Sequence, residues 1–328
     1  MPLVEGVELD ERDLRRVAQF AVSVSGSLVY VRDSPPGGDL GTLIWVAREG
    51  EETVISDQPR AYGRPRISPD GTRVAVDTID ADGQHIWIWD LVRGNGTKIT
   101  FDEGSDNYPL WTPDGERVVF TSTRDGGGLF WKPADGTGQV ERLKDGLARP
   151  YAWTSDGRLI FEEDGDIGVL TTGDDRGVEM LLDETFFEGE PSLSPDGRWL
   201  VYYSAEGSEP RVYVRPFPNV NDGKWGVSLG FGVQPVWSPD GRELFYRSRT
   251  DLMVAQVETD STFAPGAPEP LFNTSRYGFA GVNPADARMW DLSPDGSRFI
   301  FRTAARVDAQ LIFIENWFEE LKRLVPVD

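Results

Sequence analysis

The sequence contains no cysteine and a single histidine, His85. Without cysteine, neither a disulfide bond nor a thiolate metal site can form. A single histidine also excludes a zinc site with two or three imidazole ligands from the same chain. A metal site in this chain would therefore have to use carboxylate and carbonyl oxygens, which are the ligands that bind Ca²⁺ and Mg²⁺.

Basic residues are also scarce, with 33 lysines and arginines against 55 aspartates and glutamates and a net charge of −22 at pH 7. Such a charge repels phosphate backbones and anionic lipid, so we expect no nucleic-acid binding. No apolar run approaches the ~18 residues of a membrane-spanning helix, so we expect no membrane insertion. The first residues, MPLVEGVELDERD, lack the basic and apolar regions of a signal peptide. The sequence leaves the cellular compartment open.

What the sequence does contain is an internal repeat built around Asp-Gly. Six copies read ISPDGTRVAV, WTPDGERVVF, WTSDGRLIF, LSPDGRWLVY, WSPDGRELFY and LSPDGSRFIF, and a degenerate copy, VSVSGSLVYV, precedes them. The turn glycines lie 40 to 55 residues apart, and they are Gly26, Gly71, Gly115, Gly157, Gly197, Gly241 and Gly296. This period fits four short strands per unit. We therefore predict an all-β fold, a single β-propeller domain of four-stranded blades over residues 1–328.

The Asp-Gly segments are predicted to be turns rather than active-site residues. Proline presets the backbone, aspartate accepts hydrogen bonds from nearby amides, and glycine supplies the positive φ of a tight turn. A residue that recurs at the same place in six units cannot be catalytic in all of them. The tryptophans Trp111, Trp153 and Trp237 occupy one apolar position of the repeat and are predicted to pack in the core.

Seven blades are favoured, and six blades are the alternative if the degenerate first copy is not a blade. The last unit lacks a fourth strand after Ile314. The segment 1–6 resembles such a strand, so we expect it to close the ring and remove an open edge. Short helices are predicted over 9–19 and in the C-terminal segment NWFEELKRLV, where Trp317, Leu321 and Leu324 have helical spacing.

The repeat, together with IWIWDL (86–91) and VYVRPFP (212–218), resembles the TolB-type, WD-like propeller family. The ending NWFEELKRLVP (316–326) is similar to the endings of propeller regions at the C-terminal ends of bacterial serine/threonine kinases. The resemblance implies a sensor or protein-binding scaffold, extracytoplasmic if it is the excised sensor of a membrane kinase. We expect the chain to be a monomer. No kinase signature is present, since the chain has neither an HRD nor a DFG motif.

Propellers bind ligands at one mouth of the central channel. This mouth is surrounded by the residues just before each inner strand and by the loops between second and third strands. We predict that a protein, peptide or small-molecule ligand binds there. The candidate ligand-binding residues are Arg64, Tyr108, Arg149, Tyr151, Gln234, Arg288 and His85.

An alternative hypothesis is a metal-dependent hydrolase of the lactone or phosphotriester type, acting at the same mouth. Calcium-dependent enzymes on six-bladed propellers are a precedent at the level of the fold alone. The sequence has no catalytic motif, so whether the chain is an enzyme stays open, and Ca²⁺ is the cofactor of this alternative only. The candidate metal ligands are Asp106, Asn107, Glu188, Glu190 and Asp286.

Overall fold

The computed structural model describes residues 9–10, 17–18, 20–23, 26–31, 40–56, 58–102, 104–173, 176–260, 262–277, 288–303 and 311–324. It divides the chain into two compact units, one over 41–304 and one formed by the terminal segments 1–40 and 305–328. Strands dominate the described residues, and most of them form antiparallel four-stranded sheets. The predicted all-β propeller class is therefore confirmed.

The terminal unit contains strands β1 (Leu9–Asp10), β2 (Val17–Ala18), β3 (Phe20–Val22), β4 (Leu28–Val31) and β31 (Leu311–Ile314), and helix α1 (Trp317–Leu324). The predicted C-terminal helix is confirmed, and Trp317 packs with Leu28 and Tyr30. The predicted helix over 9–19 is wrong where the structure describes this segment. Strands β1 and β2 pair there, with Leu9 opposite Ala18, because strand pairing overrides the weak preference of a short charged stretch for helix.

The unit over 41–304 begins with β5 (Leu43–Ala47) and β6 (Glu52–Val54). Blade 1 follows, with β7 (Ala61–Tyr62), β8 (Arg66–Ile67), β9 (Arg73–Asp80), β10 (Gly83–Asp90) and β11 (Asn95–Lys98). Blade 2 contains β12 (Asp106–Trp111), β13 (Arg117–Ser122), β14 (Gly128–Pro133) and β15 (Glu141–Asp145). Blade 3 contains β16 (Arg149–Trp153), β17 (Leu159–Glu163), β18 (Asp166–Thr171) and β19 (Gly177–Leu182).

Blade 4 contains β20 (Glu188–Leu193), β21 (Trp199–Ser204), β22 (Arg211–Pro216) and β23 (Trp225–Gly226). Blade 5 contains β24 (Val233–Trp237), β25 (Glu243–Arg247), β26 (Asp251–Glu258), β27 (Ala264–Pro265) and β28 (Glu269–Asn273). Blade 6 combines β29 (Trp290–Leu292) and β30 (Arg298–Arg302) with β5 and β6. Short 3₁₀ turns lie at Arg124–Gly126 and Val220–Asp222.

The described sheets over 41–304 number six, which matches the six-blade alternative and not the favoured seven. The sheet of the last repeat is completed by β5, with Phe299 opposite Val46, rather than by Leu311–Ile314. The degenerate first copy instead supplies β3 and β4, and β4 pairs with Leu311–Ile314 in a separate three-stranded sheet. The predicted closing strand over 1–6 lies outside the described residues.

The core lies between the blades. Each of six apolar clusters combines side chains of two neighbouring blades, and the cluster between blades 6 and 1 joins Leu43 and Ile300 to Val74 and Trp89. Every blade is therefore packed on both faces, and the ring closes through apolar burial as well as through strand pairing. Among the helices in the described residues, none has the length and apolarity that crossing a membrane requires.

The Asp-Gly segments form the predicted turns between first and second strands. In blade 1, Gly71 has φ 71°, and the Asp70 carboxylate accepts hydrogen bonds from the Ser68 hydroxyl at 2.6 Å and the Thr72 amide at 3.0 Å. Because strands alternate in direction, all these turns lie at one end of the sheets, here called the turn end. The six inner strands begin at the opposite end, here called the mouth end.

Candidate functional site

The inner strands of blades 2 to 5 begin with a β-bulge. The register breaks between Asn107 and Leu110, and at the equivalent place in the next three blades. In blades 2, 4 and 5 the bulged residue has a positive φ, and the three residues are Tyr108 (55°), Glu190 (53°) and Gln234 (58°). Such a backbone costs on the order of 1–3 kcal/mol for a residue other than glycine. Bulges redirect side chains, and their repetition here marks the mouth end as the candidate site.

Two guanidinium groups contact the Tyr108 ring. The Cζ atom of Arg64 lies 3.9 Å from the ring centroid and that of Arg149 lies 5.1 Å from it. Arg64 is held by Asp77, with Nη1 3.1 Å from Oδ2, and Arg149 is held by Glu162 at 2.9 Å. Burial disfavours the charged guanidinium, but the Glu162 carboxylate raises the pKa of Arg149 above its ordinary value. Blades 1, 2 and 3 thus share one cationic and aromatic surface.

Glu190 is a buried acid at the bulge of blade 4, with 4% of its surface exposed. Burial raises its pKa to about 8, although Arg288 and Arg66 favour the charged form. The backbone amides of Gln234 and Arg288 also favour the charged carboxylate. The Glu190 oxygens nevertheless accept no hydrogen bond of ordinary geometry from the described residues. The same environment lowers the pKa of Arg66 to about 9, first through burial and then through Arg288.

Two buried tyrosines lie near this acid. Burial raises the pKa of both Tyr151 and Tyr203, and the negative charges of Glu190 and Glu162 raise it further. Both phenols are therefore neutral hydrogen-bond donors at physiological pH. The centre of the mouth end combines neutral phenols with buried acids and arginines.

Hydrogen bonds between neighbouring blades fix the remaining mouth-end residues. The Trp290 indole donates to Gln234 Oε1 at 3.1 Å, which joins blade 6 to blade 5. The Ile67 amide donates to Asp291 Oδ2 at 2.9 Å, which joins blade 1 to blade 6. These bonds connect the inner strands of blades 5, 6 and 1 to one another.

The structure places most of the predicted ligand-binding residues at the starts of inner strands. Tyr108, Arg149, Tyr151 and Gln234 lie on them, Arg64 lies between β7 and β8, and Arg288 lies just before β29. His85 differs, because it lies on the third strand of blade 1, β10, and not in the loop expected before Ile86. The side chain is buried, with Nδ1 4.0 Å from Asp106 Oδ2, and neither ring nitrogen has a hydrogen-bond partner among the described residues.

Asp106, a predicted metal ligand, already has a cationic partner. Arg124 Nη2 donates to both carboxylate oxygens, at 2.8 and 2.7 Å, and the Asp106 side chain is fully buried. The neighbouring Asn107 is half-buried, and its Oδ1 accepts no hydrogen bond within the described part of the chain. A cation at Asp106 would have to displace Arg124.

The other predicted metal ligands are Glu188, Glu190 and Asp286, and Asp286 lies outside the described residues. Burial raises the pKa of Glu188 to about 7, and the nearby Glu184 carboxylate adds to the effect. Within the ranges that the structure describes, no three histidine or carboxylate side chains are grouped so that they could hold a metal ion.

Sequence reasoning did not identify the partners of the site residues, which are the buried Arg66, Asp77, Glu162 and Tyr203 and the half-buried Asp291. One signal was present in the sequence. In four blades, the residue three positions before the packing residue of the repeat is polar or aromatic and is followed by proline. The four pairs are Arg64-Pro65, Tyr108-Pro109, Glu190-Pro191 and Gln234-Pro235. In blades 2, 4 and 5 this dipeptide marks the bulged residue with positive φ.

A cavity of about 840 Å³ lies at the turn end of blade 5, away from all the predicted site residues. It is lined by the Asp240–Gly241 turn and by the hairpin between β26 and β27, including Arg242, Gln256 and Glu258. The Thr259 carbonyl in this hairpin accepts a hydrogen bond from Arg198 of blade 4. The cavity is a polar cleft between turns, and none of its described lining residues has a buried side-chain atom without a hydrogen-bond partner.

Comparison with known proteins identifies relatives of this architecture. The family model of the TolB beta propeller domain matches residues 43–224. The chain is 28% identical over 189 residues to the uncharacterized peptidase YuxL of Bacillus subtilis, covering 42% of this chain and 28% of that protein. The chain therefore spans less than a third of the length of this relative.

Two solved structures share the fold. The putative TolB from Agrobacterium tumefaciens superposes with a TM-score of 0.65 at 18% identity, covering 83% of this chain and all of that one. A putative 6-phosphogluconolactonase from Bacteroides uniformis superposes with a TM-score of 0.52 at 14% identity, covering 85% of this chain and 96% of that one. At these identities the similarity is one of fold.

Proposed function

Because the chain belongs to the TolB β-propeller domain family, we propose that it is a binding propeller whose mouth end recognises a protein, peptide or small-molecule ligand. The observation that carries the proposal is the surface formed by Arg64, Tyr108 and Arg149. Arg149 keeps 30% of its side chain exposed, and Tyr108 is half-buried, so an entering ligand can reach both. Tyrosine and arginine are the residue types that contribute most often to binding hot spots.

Charge and preorganisation support the same site. In a chain of net charge −22, four arginines at the mouth end (Arg64, Arg66, Arg149 and Arg288) face four acids (Asp77, Glu162, Glu190 and Asp291). With Glu190 protonated, these eight residues carry no net negative charge, although the whole chain is strongly acidic. Fixed arginines and buried phenols suit a ligand with carboxylate or carbonyl oxygens, such as a peptide, and they lose little entropy on binding.

As a sensor or interaction module, the chain would need this site but no catalytic group. Selecting a peptide-display library on the folded chain tests the proposal. Binders should lose affinity for Tyr108→Ala and Arg149→Met and should keep it for Arg242→Ala, a matched arginine variant at the turn end. Binders that depend on Arg242 and ignore Tyr108 and Arg149 would overturn the proposal.

A hydrolase acting at the mouth is the second candidate, supported by two buried carboxyl groups with pKa values of about 7 and 8, at Glu188 and Glu190. Acids tuned close to neutral pH suit general acid–base catalysis. Assaying lactone and phosphotriester hydrolysis in chelator and in millimolar Ca²⁺ tests this candidate. Turnover that disappears in Glu190→Gln would support it, and the absence of turnover in both conditions would remove it.

A further inference from the structure

Blades 2 and 4 begin their inner strands with equivalent acids. Asp106 is the first residue of β12 and pairs with Ser122, the last residue of β13. Glu188 is the first residue of β20 and pairs with Ser204, the last residue of β21. Both carboxylic side chains are fully buried. The two blades can therefore be compared position by position.

The loops that follow the second strands also have the same local structure. The Arg124 amide donates to Ser122 Oγ at 3.2 Å, and the Glu206 amide donates to Ser204 Oγ at 3.3 Å. Arg124 and Glu206 thus occupy the same position in their loops. In blade 2 the arginine at this position forms two hydrogen bonds with the buried Asp106.

In blade 4 the position holds an acid, Glu206, which cannot form an ion pair with Glu188. Glu206 is instead directed to Lys224, whose Nζ lies 2.5 Å from Oε2. Neither carboxyl oxygen of Glu188 has a hydrogen-bond partner among the described residues. A buried charged group without a partner is costly, and a cationic partner removes that cost.

The charges around Glu188 do not replace the missing partner. Arg215 and Lys224 favour its charged form, while Glu184 and Asp166 oppose it. Arg215 donates its own hydrogen bonds to the Tyr202 hydroxyl, the Val220 carbonyl and the Glu184 carboxylate. The positive charges near Glu188 are therefore partly cancelled by the neighbouring acids. The oxygens of Glu188 still accept no hydrogen bond from the described residues.

An exposed loop of the mouth end immediately precedes the buried Glu188 in sequence. In this loop, 183–187, Glu184 and Phe186 are exposed, with 44% of Phe186 accessible. Phe187 stacks on Tyr203 with ring centroids 5.7 Å apart. Aromatic surface next to an acid suits the aliphatic stem and the planar head of an arginine side chain.

We propose that Glu188 receives the guanidinium group of an arginine from a bound protein partner, in the place that Arg124 occupies beside Asp106 in blade 2. This inference rests on the proposed function, because it assigns one contact to a partner bound at the mouth end. It also specifies the chemistry of that partner, which presents an arginine toward blade 4.

The experiment uses N-acetyl-L-arginine amide as the probe and the uncharged, nearly isosteric N-acetyl-L-citrulline amide as its control, titrated by NMR at pH 8. The arginine probe should saturate the wild-type chain, bind roughly tenfold more weakly to Glu188→Gln, and bind unchanged to Asp183→Asn, an exposed acid of the same loop. The citrulline probe should not saturate. Equal binding of both probes, or no saturable binding, would overturn the inference.

A second variant tests the geometry without a partner. In Glu206→Arg the new guanidinium should reach Glu188 as Arg124 reaches Asp106, so the folded variant should no longer bind the arginine probe. Unchanged probe binding to folded Glu206→Arg would contradict the inference. Failure here is distinguishable from failure of the proposed function, because peptides selected on the mouth end would still depend on Tyr108 and Arg149.

Discussion

Replacing Glu190 with glutamine should stabilise the folded chain at pH 9 and change its stability little at pH 5. The wild-type carboxyl has a pKa of about 8 in the folded chain, against an ordinary value of 4.5. Because the folded state holds its proton more tightly, this group makes stability fall as pH rises from about 4.5 to 8. The glutamine variant has no carboxyl group at this position, so its stability should not decrease in this way as pH rises.

The size of the stability change follows from the folded and ordinary pKa values of Glu190. Deprotonating a carboxyl whose pKa rises from 4.5 to about 8 on folding costs at most about 5 kcal/mol at high pH. We expect a gain of roughly 2 to 4 kcal/mol, because the buried glutamine amide also lacks full hydrogen bonding. The next blade shows that glutamine fits, since Gln234 occupies the same bulged position with φ 58° and is fully buried.

Urea unfolding of the wild type and Glu190→Gln at pH 5, 7 and 9 measures this effect, with Glu116→Gln as an exposed control. The difference between the wild type and the variant should grow with pH, while the control should follow the wild type. A variant that is destabilised equally at all three pH values would refute the reasoning. It would mean that Arg66 and Arg288 keep Glu190 charged and stabilising.

Three further substitutions test other parts of the account. Asp240→Asn should cost ~1 kcal/mol in thermal unfolding and leave ligand binding unchanged, because its carboxylate caps only a turn; a loss of binding would show that the turn end takes part. Gly63→Ala should lower both stability and mouth-end binding, because the new Cβ would collide with the Asp77 carboxylate that anchors Arg64. Wild-type values in both assays would contradict this contact. Arg149→Met should destabilise the chain by roughly 2–4 kcal/mol by leaving Glu162 buried without its partner, and adding Glu162→Gln should restore most of the loss; no rescue in the double variant would argue against the pairing.

The fold could be predicted from the sequence because the residues that form its turns lie close together in the chain. Each Asp-Gly turn is specified within a few residues, as the Ser68–Asp70 hydrogen bond shows, and the apolar alternation after it fixes a strand. The number of blades is not local. The pairing of Phe299 with Val46 joins segments at opposite ends of the repeat array, and no spacing within one unit indicates it.

The places of the candidate residues in the fold were predictable from the repeat, but their side-chain partners were not. The repeat places Tyr108, Glu190 and Gln234 at equivalent positions, so the position of one residue gives the positions of the other two. Whether an acid is available for a ligand depends on partners from other strands and loops. Asp106 and Glu188 are equivalent in sequence, yet Arg124 pairs with the first and Glu206 stands where the second would need an arginine.

The central claim is that partners bind at the mouth end, and hydrogen–deuterium exchange on a complex with a selected peptide tests it most directly. We predict slower exchange in the loops that precede the inner strands, including 183–187, and in the loops between second and third strands, including 205–210. Exchange in the Asp-Gly turns should stay unchanged. Protection confined to those turns or to the cleft around Arg242, with no change at the mouth end, would contradict the account.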